Sequence, residues 1–74
     1  MEKSYFGLVC RTYFIDDDDK KSDSSQFVVC VSCDREKLLK YANVLNDAEQ
    51  VKNDICPRNT IHACYSIEPM RFVL

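Results

Sequence analysis

The chain has 74 residues but only one glycine, one histidine, two prolines and no tryptophan. Because Gly7 is the sole glycine, the chain lacks the glycine-rich loop with which many proteins cradle a nucleotide phosphate. A single histidine, His62, also gives little material for a nucleophile, a base and a third orienting group. This inventory predicts a protein that is not an enzyme and that binds no cofactor.

Basic charge and long apolar runs are scarce as well. Ten basic residues against twelve acidic ones give a net charge of −2, so direct nucleic-acid binding is not expected. No stretch approaches the roughly 18 apolar residues of a membrane-spanning helix, and the apolar run at residues 5–11 is too short for a signal peptide. We therefore expect a cytoplasmic protein without membrane contact, folded as a single domain over residues 1–74.

The five cysteines are an odd number, whereas a secreted disulfide scaffold usually carries an even set. In a reducing cytosol we expect free thiols that pack as small apolar side chains. A zinc site is the weaker alternative, because Cys30 and Cys33 have the C-x2-C spacing of zinc ligands, and Cys56, His62 and Cys64 could complete the set. However, Cys30 lies inside an apolar run, and one residue between His62 and Cys64 is unusual for a ligand pair. No metal is predicted.

Two segments rich in aromatic and β-branched residues predict the first two strands, residues 4–15 and 26–32. Side chains alternate between the two faces of a strand. On the first strand, the better core face consists of Phe6, Leu8, Cys10, Thr12 and Phe14. On the second strand, alternation separates Phe27, Val29 and Val31 from Val28, Cys30 and Ser32.

The apolar spacing then changes to three and four residues, which predicts a helix from about residue 34 to residue 53. Its apolar stripe consists of Leu38, Tyr41, Ala42, Leu45, Ala48 and Val51. The side away from the stripe carries Arg35, Lys40, Asn43, Asp47 and Glu49. Ser32 or Asp34 can cap the first turn, and Cys56-Pro57 ends the helix. A third strand follows over residues 60–68, and residues 70–74 form either a sheet extension or a packed tail.

The element order β-β-α-β predicts an α+β fold, a two-layer sandwich with a three-stranded antiparallel-type sheet of order 2-1-3 and one helix on one face. The open face then carries Val9, Tyr13, Ile15, Val28, Cys30 and Cys64, beside Arg11, His62 and Ser66. This is more apolar than a solvated sheet face should be. It favours a sheet-to-sheet homodimer or a docking surface for another protein. A misassigned register, or a tail at residues 72–74 folded over the face, is the alternative.

The acidic run is the other candidate for a binding surface. Residues 16–25 carry five of the twelve acidic residues, and clustered carboxylates repel one another, so we expect a solvated hairpin loop. The run lacks the alternation and the glycine of a calcium-binding loop. It is either a solubilising connection or a docking element for a basic surface on another protein. The predicted partner-binding residues are Asp16, Asp17, Asp18, Asp19, Tyr13 and Val28.

In its size, its scarcity of glycine and its element order, the chain resembles small β-β-α-β proteins encoded by phages and mobile elements. Many of those bind and block a host protein, and anti-CRISPR proteins are one example. The resemblance rests on size and element order, so it transfers no functional residue. It implies an inhibitor or regulator that acts by binding another protein. The alternative is a structural homodimerising module that a cysteine-rich zinc site could stabilise.

Overall fold

Three strands and one helix make up the computed structural model, which describes residues 4–71 of the chain. They are β1 (Tyr5–Ile15), β2 (Lys21–Ser32), α1 (Arg35–Ile55) and β3 (Thr60–Met70). The sheet order is β2-β1-β3, and β1 is antiparallel to both neighbours. The predicted α+β fold with strand order 2-1-3 is confirmed. The predicted extension of the sheet is found as far as Met70, whereas residues 72–74 lie outside the described residues.

The β1–β2 connection is shorter than predicted, because β2 begins at Lys21 rather than at residue 26. The Asp19 N–H donates to the Asp16 carbonyl (3.1 Å), and Asp19 adopts a left-handed conformation with φ of 63°. Such a residue closes many three-residue hairpin loops, and a short polar side chain tolerates it. The serine-rich segment that follows joins the strand because Thr12 and Ser25 pair across it, with their hydroxyl oxygens 2.8 Å apart.

A bulge in β2 changes which side chains face the helix. Leu8 pairs with Cys30, whereas the next residue, Val9, pairs with Val28, so Val29 is an extra residue. As a result, Cys30 packs on the helix side against the core, and Val31 lies opposite Gly7 on the open face. The assignment of Cys30 to the open face was wrong because it assumed uninterrupted alternation. The assignment of Val28 to that face is confirmed.

The helix begins and ends close to the predicted residues. Asp34 is the N-cap, and its side chain accepts a hydrogen bond from the Lys37 N–H (3.1 Å). Ser32 supports the same turn by accepting a hydrogen bond from the Asp34 N–H (3.0 Å). At the other end, the Cys56 N–H donates to the Lys52 carbonyl (2.7 Å) before Pro57 prevents continuation.

The buried core is small and lies between the middle of β1 and the first half of α1. Leu8, Leu38 and Ala42 form its centre, and the half-buried side chains around them are Phe6, Cys30, Leu45, Tyr65 and Ile67. The apolar core face predicted for the helix is therefore only partly confirmed. Its remaining members, Tyr41, Ala48 and Val51, are exposed to solvent.

The second half of α1 contacts the outer edge of β3 through polar side chains. Asn46 bonds to the main chain of Tyr65, Glu49 accepts from the Ala63 N–H (3.3 Å), and the Lys52 ammonium donates to the Ile61 carbonyl. These alternate residues of β3 direct their main-chain N–H and C=O groups away from β1. A fourth strand would pair with these same groups. Glu49, predicted to face solvent, is therefore half-buried against the sheet.

Within residues 4–71, the helix thus caps one edge of the sheet and leaves the other edge, β2, open. α1 contacts β3 most extensively and β1 less. Pro69 fits this arrangement because it belongs to the outward-directed series of β3, where its missing N–H breaks no bond to β1.

Candidate functional site

The acidic loop is tied to the connection between α1 and β3. Both carboxylate oxygens of Asp19 accept hydrogen bonds from Arg58, at 2.7 and 3.0 Å. The Asn59 side-chain amide donates to Asp17, and the Asn59 N–H donates to the Ile15 carbonyl (2.6 Å). The hydrogen bond to Asp19 and the charge of that carboxylate raise the pKa of Arg58. Two loops at the same end of the sheet therefore hold each other in place.

These contacts reduce what the loop can offer to a partner. The Asp16 carboxylate accepts from the main-chain N–H groups of Asp18 and Lys20, both at 2.9 Å, so it holds the turn itself. Asp17 and Asp19 contact Asn59 and Arg58. The loop is exposed, as predicted, but three of its four carboxylates already accept hydrogen bonds from this chain. Asp18 at the tip is the carboxylate best placed to meet a basic partner.

The open face of the sheet is less apolar than predicted, because Arg11 extends across it. Its guanidinium donates to Gln26 (3.2 Å) on β2 and to both Ser66 (3.0 Å) and Glu68 (2.8 Å) on β3. The ion pair with Glu68 completes this three-strand link. Val9, on the same face, is 1% exposed. The centre of this face is thus covered by the chain's own side chains, whereas Val28 and Val31 at its β2 side stay exposed.

Tyr13 is also occupied by contacts within the chain. Its ring stacks on His62 with centroids 5.4 Å apart, and the Lys21 ammonium lies 4.5 Å from the Tyr13 ring centroid. His62 is buried, and its Nε2 lies 3.3 Å from the Pro57 carbonyl oxygen. Tyr13, a predicted partner-binding residue, therefore packs at the end of the open face through contacts within the chain.

Among the described residues, strand β2 has more exposed large apolar side chains than either other strand, since β1 has only Phe14 and β3 only Ile61. From Lys21 to Val29 every residue is exposed. We define the β2 patch as Phe27, Val28, Val29 and Val31, whose exposed fractions run from 39% at Val29 to 51% at Phe27. Val28 was predicted as a binding residue, and it belongs to this patch. The other three were missed because the sequence interpretation grouped them away from the open face. The sequence alone gave no signal for them, because Asn46, Glu49 and Lys52, which hold α1 at the far edge of the sheet, look like solvent-facing residues until their contacts with β3 are seen.

The cysteines do not assemble into a site. Cys30 packs against the core, Cys33 and Cys56 flank opposite ends of α1, and Cys64 is exposed beside Arg11 in the sheet. All five are free thiols. Among the described residues, no three His, Cys, Asp or Glu side chains lie together as metal ligands would. The zinc alternative, with Cys30, Cys33, Cys56, His62 and Cys64, thus has no structural basis in residues 4–71.

A cleft of about 200 Å³ lies where the second half of α1 meets the first residues of β3. It is lined by Tyr13, Asn46, Glu49, Gln50, Asn53, His62, Ala63 and Cys64. Several of its polar side chains are already hydrogen-bonded: Asn46 and Glu49 bond to the main chain of β3, Gln50 donates to Asp54, and the Nε2 of His62 faces the Pro57 carbonyl. In the part of the chain that is described, no hydrogen bond joins Cys64 to His62. The cleft therefore presents no nucleophile paired with a base.

Within residues 4–71, no helix combines the length and the hydropathy that crossing a membrane requires. Compared with protein-family models, with curated proteins and with solved structures, the chain matches none of them.

Proposed function

We propose that the protein is a small, non-enzymatic interaction module that works in the cytoplasm by binding another protein along β2. One observation supports this proposal above the others. The helix caps the edge of β3 with side-chain hydrogen bonds, whereas β2 presents an apolar patch and an open edge at the opposite side of the same sheet.

An open edge strand offers alternate main-chain N–H and C=O groups to an extended segment of a partner. The β2 patch adds side-chain contacts on both faces of that edge. Phe27 lies opposite Cys10 on the helix side, and Val28 lies opposite Val9 on the open side. A partner strand would therefore gain main-chain hydrogen bonds and apolar burial together, which is how edge addition combines affinity with specificity.

Two irregularities in the β1–β2 register give this edge selectivity. The pairing shifts between Leu8 and Val9 and again between Thr12 and Tyr13. Bulges twist an edge and interrupt its regular pairing, and natural proteins use them to prevent indiscriminate edge-to-edge association. The irregular β2 edge thus favours one partner of matching shape over general aggregation.

The acidic loop adds one electrostatic preference to this edge, through the Asp18 carboxylate. It lies at the start of β2, where the exposed Asp18 carboxylate adjoins Lys20 and the beginning of the strand. If a segment pairs along β2 and carries a basic residue at this end, that residue would lie near the oppositely charged Asp18 carboxylate. The proposed role is that of an inhibitor or regulator, because a partner segment that pairs with β2 is no longer available to other molecules. This role agrees with the resemblance to small phage-encoded binding proteins.

The test is affinity capture from the native host, followed by mass spectrometry, with matched variants. Val28→Arg places a charge in the β2 patch, and Leu39→Arg places the same charge at a side chain of similar exposure on the helix. A partner that is lost with Val28→Arg and retained with Leu39→Arg supports the proposal. A partner retained by Val28→Arg and by Phe27→Arg would overturn it.

A further inference from the structure

A second apolar stripe runs along α1 and is not covered by the sheet. It consists of Tyr41, Val44, Ala48, Val51 and Ile55, spaced alternately three and four residues apart. We call it the helix stripe. All five residues are exposed, and the exposed fractions of the four larger side chains run from 47% at Tyr41 to 72% at Ile55. A strict three-four spacing is that of a seam packing against another helix.

The helix stripe is distinct from the sheet-facing side of α1. At about 100° per residue, its five members fall within an arc of roughly 80°, about a third of a turn from Leu38, Ala42 and Leu45. The sheet therefore cannot cover both groups. From Tyr41 to Ile55 the stripe runs about 21 Å along the helix. A continuous apolar stripe of this length is typical of an interaction surface rather than a solvated helix face.

We propose that a second copy of this chain covers the helix stripe, with the two helices antiparallel about a two-fold axis. The flanking charges favour this occupant. Lys40 and Asp54 border the same side of the stripe near its opposite ends, with Asp47 midway between them. A two-fold axis near Asp47 places each Lys40 beside Asp54 of the second copy, so the same favourable pair forms twice.

The apolar side chains are also self-complementary about this axis. Tyr41 and Val44 of one helix meet Val51 and Ile55 of the other, and the small Ala48 near the centre lets the helices approach closely. A parallel pair is less favourable, because it would separate Lys40 from Asp54 of the other copy and would form an Asp47–Lys52 pair only by drawing Lys52 away from its contacts within the chain. Lys52 already donates to the Ile61 carbonyl and lies 3.9 Å from Glu49.

The test is sedimentation equilibrium of the full chain over concentrations from micromolar to near millimolar. We expect a monomer–dimer equilibrium. The double variant Val44→Gln/Val51→Gln should raise the dissociation constant at least about 100-fold, because two large apolar side chains per copy lose their burial. Leu39→Gln, at an exposed apolar residue outside the stripe, is the control. Circular dichroism verifies that each variant keeps its helix. A chain that stays monomeric throughout, or a dimer that Leu39→Gln weakens as strongly, would overturn the proposal.

Charge reversal tests the antiparallel arrangement. Lys40→Glu should weaken the dimer about threefold to tenfold, and adding Asp54→Lys should restore it. Asp47→Asn should strengthen the dimer, because the axis brings two Asp47 carboxylates together. Failure of the double reversal to restore affinity would overturn the antiparallel pairing. Val28→Arg, which tests binding along β2, should leave the dimer unchanged, so the two proposals succeed or fail separately.

Discussion

Asn46 on α1 makes two hydrogen bonds to the main chain of Tyr65 on β3. Its side-chain amide donates to the Tyr65 carbonyl (3.0 Å), and its side-chain oxygen accepts from the Tyr65 N–H (2.9 Å). Together with Glu49 and Lys52, it gives β3 the hydrogen bonds that a fourth strand would supply. This cap makes the two edges of the sheet unequal, because within residues 4–71 only the β2 edge is left open.

Removal of the Asn46 side chain should destabilise the protein. Asn46→Ala leaves the half-buried Tyr65 N–H and C=O without their partners, and the expected loss in the free energy of unfolding is about 1–3 kcal/mol. Asn43→Ala, one turn earlier at an exposed position of the same helix, is the matched control and should change stability little. Urea denaturation monitored by circular dichroism measures both. Equal effects of the two substitutions would show that Asn46 does not cap the edge.

The contact between the two loops should control proteolysis of the acidic run. Residues 16–20 read Asp-Asp-Asp-Asp-Lys, which is the recognition sequence of enteropeptidase. A protease must extend the loop to cut after Lys20, and the Asp19–Arg58 pair opposes that extension. We expect Arg58→Gln to accelerate native-state cleavage, and Arg35→Gln, at the exposed start of α1, to leave the rate unchanged. Added salt should reduce the difference in cleavage rate between wild type and Arg58→Gln, because salt screens the exposed Asp19–Arg58 ion pair. Identical rates for wild type and Arg58→Gln would contradict this account of the loop.

Alkaline pH should reduce stability through Tyr65. Burial raises the pKa of Tyr65 above its ordinary value of 10.0, and the neighbouring Cys10 adds to the shift. Because the folded state favours the protonated phenol, its stabilising contribution is complete below the unfolded pKa and is lost as pH rises through the folded pKa. Unfolding free energy should therefore fall above about pH 10 more steeply in wild type than in Tyr65→Phe. A slope that Tyr65→Phe does not reduce would contradict the assignment.

Local patterns in the sequence were sufficient for the strand order and the helix ends. Asp34 caps the start of the helix and Cys56-Pro57 ends it. The aromatic and β-branched segments define the strands. The face of Cys30 could not be predicted, because a single extra residue, Val29, reverses the alternation within β2. No local feature of the sequence predicts that bulge.

The candidate site was harder to predict because it depends on where the helix packs. Tyr41, Ala48 and Val51 share a three-four spacing with Leu38 and Leu45, so all five looked like one core face. The sheet is too narrow to cover so wide an arc once Asn46 and Glu49 reach the edge of β3. Polar side chains that bond to a strand edge look like solvent-facing residues in the sequence alone, and Glu49 was misplaced for that reason.

The central claim is that a partner binds along β2, and hydrogen–deuterium exchange on the captured complex tests it most directly. Compared with the free protein, the complex should show slower exchange at those main-chain amides of Lys21–Ser32 that face away from β1. Exchange at Ala63 and Tyr65, which α1 already protects, should stay unchanged. Slower exchange confined to α1 or β3, with β2 as fast as in the free protein, would contradict the account.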